Sequence, residues 1–282
     1  MKFLVTGSTG FIGRHVVSEL LTQGHEVMAT ARNNERARLM QWFDSVRFVA
    51  CDLHHLELHP SELFGIPDII VHLAWPGLPN YTKLFHLEDN FPADYRFLKT
   101  MISAGTKHIL VTGTSLEYGM QCGPLSEDMP TFPTNPYGLA KDTLRKFLQM
   151  LQNSRPFVMQ WVRLFYMYGP GQNPNSLLSQ LDRCIDNSEP VFHMSWGEQL
   201  RDFLPVQEVA RRIVFLVCHP QYQGIFNCCN GKPISVRHLV EQRIRERGAT
   251  LKLDLGHYPY PDYEPMAFWG TSHKLNTCME LS

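Results

Sequence analysis

The sequence predicts an α/β fold, a doubly wound parallel sheet with a smaller C-terminal α+β lobe. Three observations carry that expectation. Short apolar runs alternate with helix-patterned segments through the first half of the chain. The runs are rich in Val, Ile, Leu and Phe with little polar alternation, as strands buried on both faces should be. A glycine-spaced turn, "VTGSTGFIGRH", joins the first run to the first helix, the join expected of a βα unit.

In order, strands are expected in "KFLVTG", "EVMATA", "VRFVACD", "DIIVHLAW", "HILVTGTS" and "FVMQWVRL". Helices are expected between them, at Arg14–Gln23, Glu35–Phe43, Pro92–Ala104 and Tyr137–Gln152. From about Tyr168 the rhythm changes. "GPGQNPNS" is a Pro/Gly/Asn break, followed by a helical run from Leu177 to Asn187. A helix at Val206–Val217 and the strand "GIFNC" return to the sheet, and the Pro- and aromatic-rich tail "GHYPYPDYEPMAFWG" closes over a pocket. This gives a dinucleotide-binding unit at 1–167 with a return segment near 204–229, and a substrate lobe from 168–203 and 230–282.

With 282 residues, 44% of them hydrophobic, the chain can bury a sizeable core as one α/β unit or two lobes. A net charge of -1 without basic clusters makes neither nucleic acid nor a membrane surface an expected partner. No apolar run is long enough to span a bilayer, and "MKFLVTG" reads as a strand rather than a targeting signal. Seven irregularly spaced cysteines suggest reduced thiols and a cytoplasmic setting. Cys228 and Cys229, adjacent in a strand, should pack on opposite faces.

In the first turn, Gly7 permits the tight bend, Gly10 lets the backbone approach a diphosphate, and Gly13 lets helix and strand pack. No Gly-Lys-Ser/Thr follows, which sets aside a Walker-type loop. Asp52, at the end of the third strand, stands where an adenine amino group can reach it. Tyr137 and Lys141, four apart in a helix, share one face. A tyrosine titrates near ~10 in isolation, and a neighbouring ammonium lowers that value and suits it to proton exchange. His55 and His59 in "HHLELH" have metal-like helical spacing but no third ligand, so a surface helix is expected and no metal. Glu117 is open between touching substrate and capping its loop.

The spacing G-x-x-G-x-x-G, with "VHLAW", "TGTSLEYG", "NPYGLAK", "RLFYMYGPGQ" and "RDFLPVQEVA", resembles the extended short-chain dehydrogenase/reductase family nearly end to end. The resemblance implies a Rossmann-type domain and catalysis by Thr114, Tyr137 and Lys141. Cofactor contacts would fall on Gly7, Thr9, Gly10, Phe11, Ile12, Gly13, Arg32, Asp52, Leu53, Leu73, Ala74, Trp75, Thr112 and Phe165, besides Tyr137 and Lys141. Substrate contacts would fall on Thr114, Ser115, Tyr166, Gln172, Asn175, Ser176 and Arg201, the last on the diphosphate of a nucleotide sugar.

Where the family usually has an acidic residue for the NAD ribose, this chain has Ala31 followed by Arg32. That exchange favours a 2′-phosphate, so NADP(H) is preferred and NAD(H) possible. The family's dehydratases carry Asp-Glu after the Thr, and its epimerising reductases a cysteine at the second of those positions. Here they are Ser115 and Leu116, and Leu116 cannot move a proton. What remains is carbonyl reduction or 4-epimerisation.

The motifs look most like reductases of nucleotide-linked 4-keto-6-deoxyhexoses (dTDP-, CDP-, GDP- or UDP-linked) in bacterial O-antigen and other surface-polysaccharide pathways. The alternatives are an NAD-dependent 4-epimerase and a non-catalytic NAD(P)-binding sensor. The resemblance also implies a homodimer.

Overall fold

A computed structural model describes residues 1–282. Seven strands form one parallel sheet: β1 (Lys2–Thr6), β2 (Glu26–Ala31), β3 (Arg47–Ala50), β4 (Ile69–His72), β5 (His108–Thr114), β7 (Val158–Leu164) and β12 (Gly224–Cys228). Their order is β12-β7-β5-β4-β1-β2-β3. The winding direction reverses between β1 and β4, which opens a crevice at the carboxyl ends of the strands.

The strands alternate their side chains between two cores. Val5, Ala29, Val71 and Phe226 face α1 (Gly13–Thr22) and α7 (Val206–Cys218). Leu4, Ile70, Ile109 and Trp161 face α4 (Phe91–Ala104) and α5 (Pro136–Ser154). Each fully buried aliphatic side chain stabilises the fold by roughly 1.5–3 kcal/mol. Cys228 joins the first core, while Cys229 turns to a separate cluster with Tyr118, Phe165 and Phe268.

Short pairs of strands build the lobe: β6 (Gly123–Leu125) with β15 (Phe268–Gly270), β8 (Tyr166–Tyr168) with β11 (Phe203–Pro205), β9 (Val191–His193) with β14 (Lys252–Asp254), and β10 (Leu200–Arg201) with β13 (Ile234–Ser235). α6 (Leu177–Asp186) and α8 (Val236–Glu246) enclose its core around Leu181, Phe192, Met194 and Val240. The last helix, α9 (His273–Glu280), leaves the lobe and returns Leu275 to the first core of the sheet.

Two expected helices are not formed as read. The run 35–43 is helical only as α2 (Asn34–Arg38), capped by Asn33, whose side chain accepts the Arg36 N–H at 2.8 Å. Beyond it the chain turns, so that Trp42 and Phe43, adjacent in sequence, both pack on the core while Leu39 is left exposed. "HHLELH" forms turns rather than a surface helix. His59 instead caps α3 (Pro60–Phe64), its ring accepting the Ser61 N–H at 3.4 Å. His55 lies against Asp52 at 3.3 Å. The two histidines therefore serve separate local roles.

Gln160 in β7 ties the sheet to the end of α7. Its amide donates to the carbonyls of Leu216, His219 and Tyr222, and its oxygen pairs with His108 Nε2 at 2.8 Å. Burial pushes His108 below the usual imidazole value, although the Gln160 bond opposes this. A lowered folded pKa makes the stabilisation complete above the unfolded value near ~6.5 and loses it as pH falls below that. Unfolding free energy should therefore fall below pH ~6.5, by up to about 1.4 kcal/mol per pH unit for each such histidine. Denaturant unfolding of wild type and His108→Gln at pH 7.5, 6.5 and 5.5 checks this, with a shallower slope expected in the variant.

Candidate active site

Because all seven strands are parallel, their carboxyl ends lie along one edge. That edge brings together the 7–13 loop, Arg32, Asp52, Leu73–Trp75, Thr114 and Phe165. Gly7 has φ +66°, and a Cβ there would stand 2.8 Å from the Ala74 amide nitrogen. At Gly13 it would stand 2.2 Å from the Gly7 carbonyl oxygen. The loop is thus folded against β4 as tightly as bare backbone allows. No side chain caps the start of α1 at Ile12, which leaves its N–H groups for an anion. Thr9 is buried, and Phe11 lies at the rim against His15.

Arg32 is exposed beside Asp52. Burial acts to raise the Asp52 carboxyl, but the His54 amide, His55, His54 and Arg32 outweigh it and hold the group below its usual value. Two further arginines belong to this corner and were not anticipated from sequence. Arg14 reaches back to the Gly10 carbonyl at 3.4 Å, and its pKa is lowered by burial and then by the charge of Arg36. The glycine cradle, the uncapped helix start and these arginines fit the diphosphate and adenosine end of a dinucleotide. The Leu53 side chain packs in the second core.

Thr114 ends β5 and is buried. Its N–H donates to Glu117 Oε1 at 2.9 Å, and its hydroxyl oxygen accepts the Leu116 N–H at 3.3 Å, so the hydroxyl proton is free to be donated elsewhere. This capping box settles the role of Glu117, which holds the turn from inside. Ser115 and Leu116 are buried in the same turn. Gly138 lets the start of α5 press against it, since a Cβ there would stand 2.6 Å from the Leu116 carbonyl oxygen. That close approach brings Tyr137 to Thr114.

Tyr137 is pushed above the ordinary phenol value by burial and then by Tyr81, against a lowering contribution from Thr114. Lys141 is lowered to about 8 by burial, despite the raising influence of Asp94 and Glu117. The expected lowering of Tyr137 by Lys141 is absent. The ammonium turns instead to the Thr112 carbonyl at 2.8 Å and to the Trp75 ring, 3.9 Å from its centre. Trp75 in turn donates to His86 Nδ1 at 3.0 Å. Trp75, Tyr81 and His86 surround Tyr137 with ring centres 5.9, 5.6 and 5.2 Å away, and Tyr263 packs at a tilt beyond Tyr81. Of this aromatic wall, only Trp75 was singled out from sequence.

Arg201 in β10 is buried, donating to the Leu200 and Met266 carbonyls at 2.9 and 3.1 Å and pairing with Glu264 at 3.0 Å. The Tyr166 hydroxyl donates to the same carboxylate. Burial, and then Glu264, raises the Tyr166 phenol well above its usual value. Glu264 is the partner that sequence reading missed. Gln172 donates to the Met167 carbonyl and lines a cavity of about 440 Å³ with Tyr168 and Gln207. Asn175 and Ser176 serve the turn into α6, and none of their hydrogen bonds reaches Arg201 or Tyr166. A second cavity, of about 620 Å³, lies beside β10 between Tyr168, Phe203 and Lys232.

Glu117 also accepts from Arg163 Nε at 2.8 Å and Trp161 Nε1 at 3.0 Å. Replacing it by Gln leaves the buried Arg163 cation unneutralised. Glu117→Gln should cost about 3–5 kcal/mol of stability, read as a lower urea midpoint.

The sequence profile of the NAD dependent epimerase/dehydratase family matches residues 3–229. The chain is 33% identical to dTDP-6-deoxy-L-talose 4-dehydrogenase (NAD(+)) of Aggregatibacter actinomycetemcomitans, over 96% of this chain and 99% of that protein. It is 26% identical to a UDP-glucose 4-epimerase of Halalkalibacterium halodurans, over 99% of this chain and 90% of that one. Among solved structures, MoeE5 in complex with UDP-glucuronic acid and NAD superposes with a TM-score of 0.86 at 26% identity, over 99% of this chain and 93% of that one. With its glycine cradle, its Tyr137–Lys141 helix and these relatives, the chain belongs to the NAD dependent epimerase/dehydratase family, whose members here act on nucleotide sugars.

Proposed function

We propose that the protein exchanges hydride at C4 of a nucleotide-linked 6-deoxyhexose, working as a 4-ketoreductase with NADPH. The observation that carries this reading is the turn after Thr114. Buried Leu116 stands where a second proton-transfer group would be needed, so the chemistry rests on one acid. A relative named as a dTDP-6-deoxy-L-talose 4-dehydrogenase (NAD(+)) supports the C4 chemistry, because that reaction in reverse is a ketoreduction, while its named cofactor is NAD(+).

When bound, the dinucleotide supplies the hydride. Tyr137 holds the proton that passes to the C4 oxygen, and burial keeps that proton in place at neutral pH. Thr114 donates its hydroxyl proton to the same oxygen and orients it. Lys141, charged below about 8, would hold the cofactor ribose. Arg201 takes the diphosphate in bidentate fashion, with Tyr166 at the sugar. The arginines at 14, 32 and 36 favour a 2′-phosphate, the basis for NADPH over NADH. Leu139, Phe147 and Met150 stand exposed on α5, the face through which we propose a homodimer.

A 4-epimerase is the second reading, favoured by the UDP-glucose 4-epimerase relative. The test is NADPH and NADH oxidation with dTDP- and CDP-4-keto-6-deoxyglucose. Failure with both cofactors, together with NAD released on denaturation, points to the epimerase.

Tyr137→Phe should lower turnover by about 10²–10⁴-fold with NADPH binding retained, checked by single-turnover kinetics and fluorescence titration. Arg32→Ala should weaken NADPH by roughly 10–100-fold and leave NADH unchanged, the worth of a charged hydrogen bond. Lys141 loses its proton as pH rises through about 8, while Tyr137 keeps its own. kcat/KM for reduction should therefore fall above pH about 8, a limb that a pH profile from 6 to 9.5 resolves.

A further inference from the structure

Outside the active site, three side chains that could bind a metal converge on one point of the lobe. β9 and β14 pair in parallel register with His193 directly opposite Asp254. Beyond β14 a short turn at 255–256 keeps the chain beside the end of β9. The Met194 N–H donates to the Asp254 carbonyl at 3.1 Å, and the His257 N–H donates to the Met194 carbonyl at 3.0 Å. Gly256 makes that turn possible. Its φ is +79°, and a Cβ there would stand 2.7 Å from the Trp196 ring.

The result is a backbone-built cluster. Nδ1 of His193 and Nδ1 of His257 both face Asp254 Oδ2, at 2.6 and 2.9 Å. One ligand atom from each of the three residues lies within 4.8 Å of the others. The side chains are 48%, 42% and 44% exposed for His193, His257 and Asp254, so the mouth of the cluster opens to water. None of the three has a part in the proposed hydride chemistry.

Two imidazole nitrogens and one carboxylate oxygen suit a borderline divalent ion such as zinc, cobalt or nickel better than magnesium or calcium. With bonds of roughly 2.0–2.2 Å in a tetrahedral site, the ligand atoms would stand about 3.4 Å apart. The two nitrogen–oxygen contacts must therefore open by about 0.5–0.8 Å, which rotation of half-exposed side chains supplies. Water completes the coordination from the open side.

We propose that His193, Asp254 and His257 form a surface site for a zinc-class divalent cation. The site joins β9 to the root of the segment that follows His257. That segment carries Tyr263 to Tyr81 and Glu264 to Arg201, so the ion would staple its base.

The test uses the full-length protein after chelator treatment. Zn²⁺ is titrated by calorimetry and Co²⁺ by visible absorption, into wild type, His193→Ala, His257→Ala and Asp254→Asn. The expected result is one tight equivalent per chain in wild type, weakened at least 10-fold by each substitution, with Zn²⁺ raising the thermal midpoint of wild type alone. His193→Gln and His257→Gln keep polarity and bulk, and replace any alanine variant that fails to fold. No binding at millimolar Zn²⁺, or binding that none of the substitutions weakens, overturns the proposal. Neither outcome depends on the sugar chemistry.

Discussion

The reactive edge of the sheet depends on one buried carboxylate, that of Glu117. It fills the space over Gly113, where a Cβ would stand 2.3 Å from its oxygen and 2.2 Å from Trp161 Nε1. A buried charge is tolerable only when its lone pairs are used, and Glu117 receives the Thr114 amide, the Trp161 indole and the Arg163 guanidinium. Arg163 continues the chain by stacking 4.4 Å over Tyr118, whose hydroxyl donates to Asn227 at 2.8 Å. Thr114 is therefore positioned by β5, β7 and β12 together rather than by its own loop. A site that must hold a hydroxyl to within a fraction of an ångström gains from so rigid a base.

The lobe contains a second buried charge of different character. Arg201 is held by two carbonyls of its own surroundings and by Glu264, which comes from the irregular segment after His257. The cation has already been removed from water and compensated by a carboxylate. The same carboxylate accepts from the Tyr166 hydroxyl, and Tyr263, which meets Tyr81, adjoins it in the chain. Arg201 is thus tied through Glu264 and the adjoining Tyr263 to the aromatic wall beside Tyr137.

What could be read from the sequence was what has a local period or a fixed spacing. Strands buried on both faces, the glycine cradle and the Tyr137–Lys141 pair all announce themselves within about a dozen residues. What escaped is non-local. Glu264 meets Arg201 from 63 residues away, and His193 meets Asp254 from 61. Arg14 and Arg36 are joined only by the β1–β2 geometry. The helix read over 35–43 failed because tertiary packing drew both Trp42 and Phe43 inward, against the helical period. The His55–His59 spacing misled because a proline after His59 begins a new helix there.

The arrangement of Lys141 departs most from sequence expectation. The ammonium has no carboxylate in direct contact, only a carbonyl and the face of Trp75. Its fall from 10.5 to about 8 corresponds to about 3 kcal/mol of unrelieved burial. Tyr137, also buried, is pushed the opposite way, so each residue is driven towards its neutral form. Both lie against Trp75, so any movement of that indole changes the burial of the phenol and of the ammonium together.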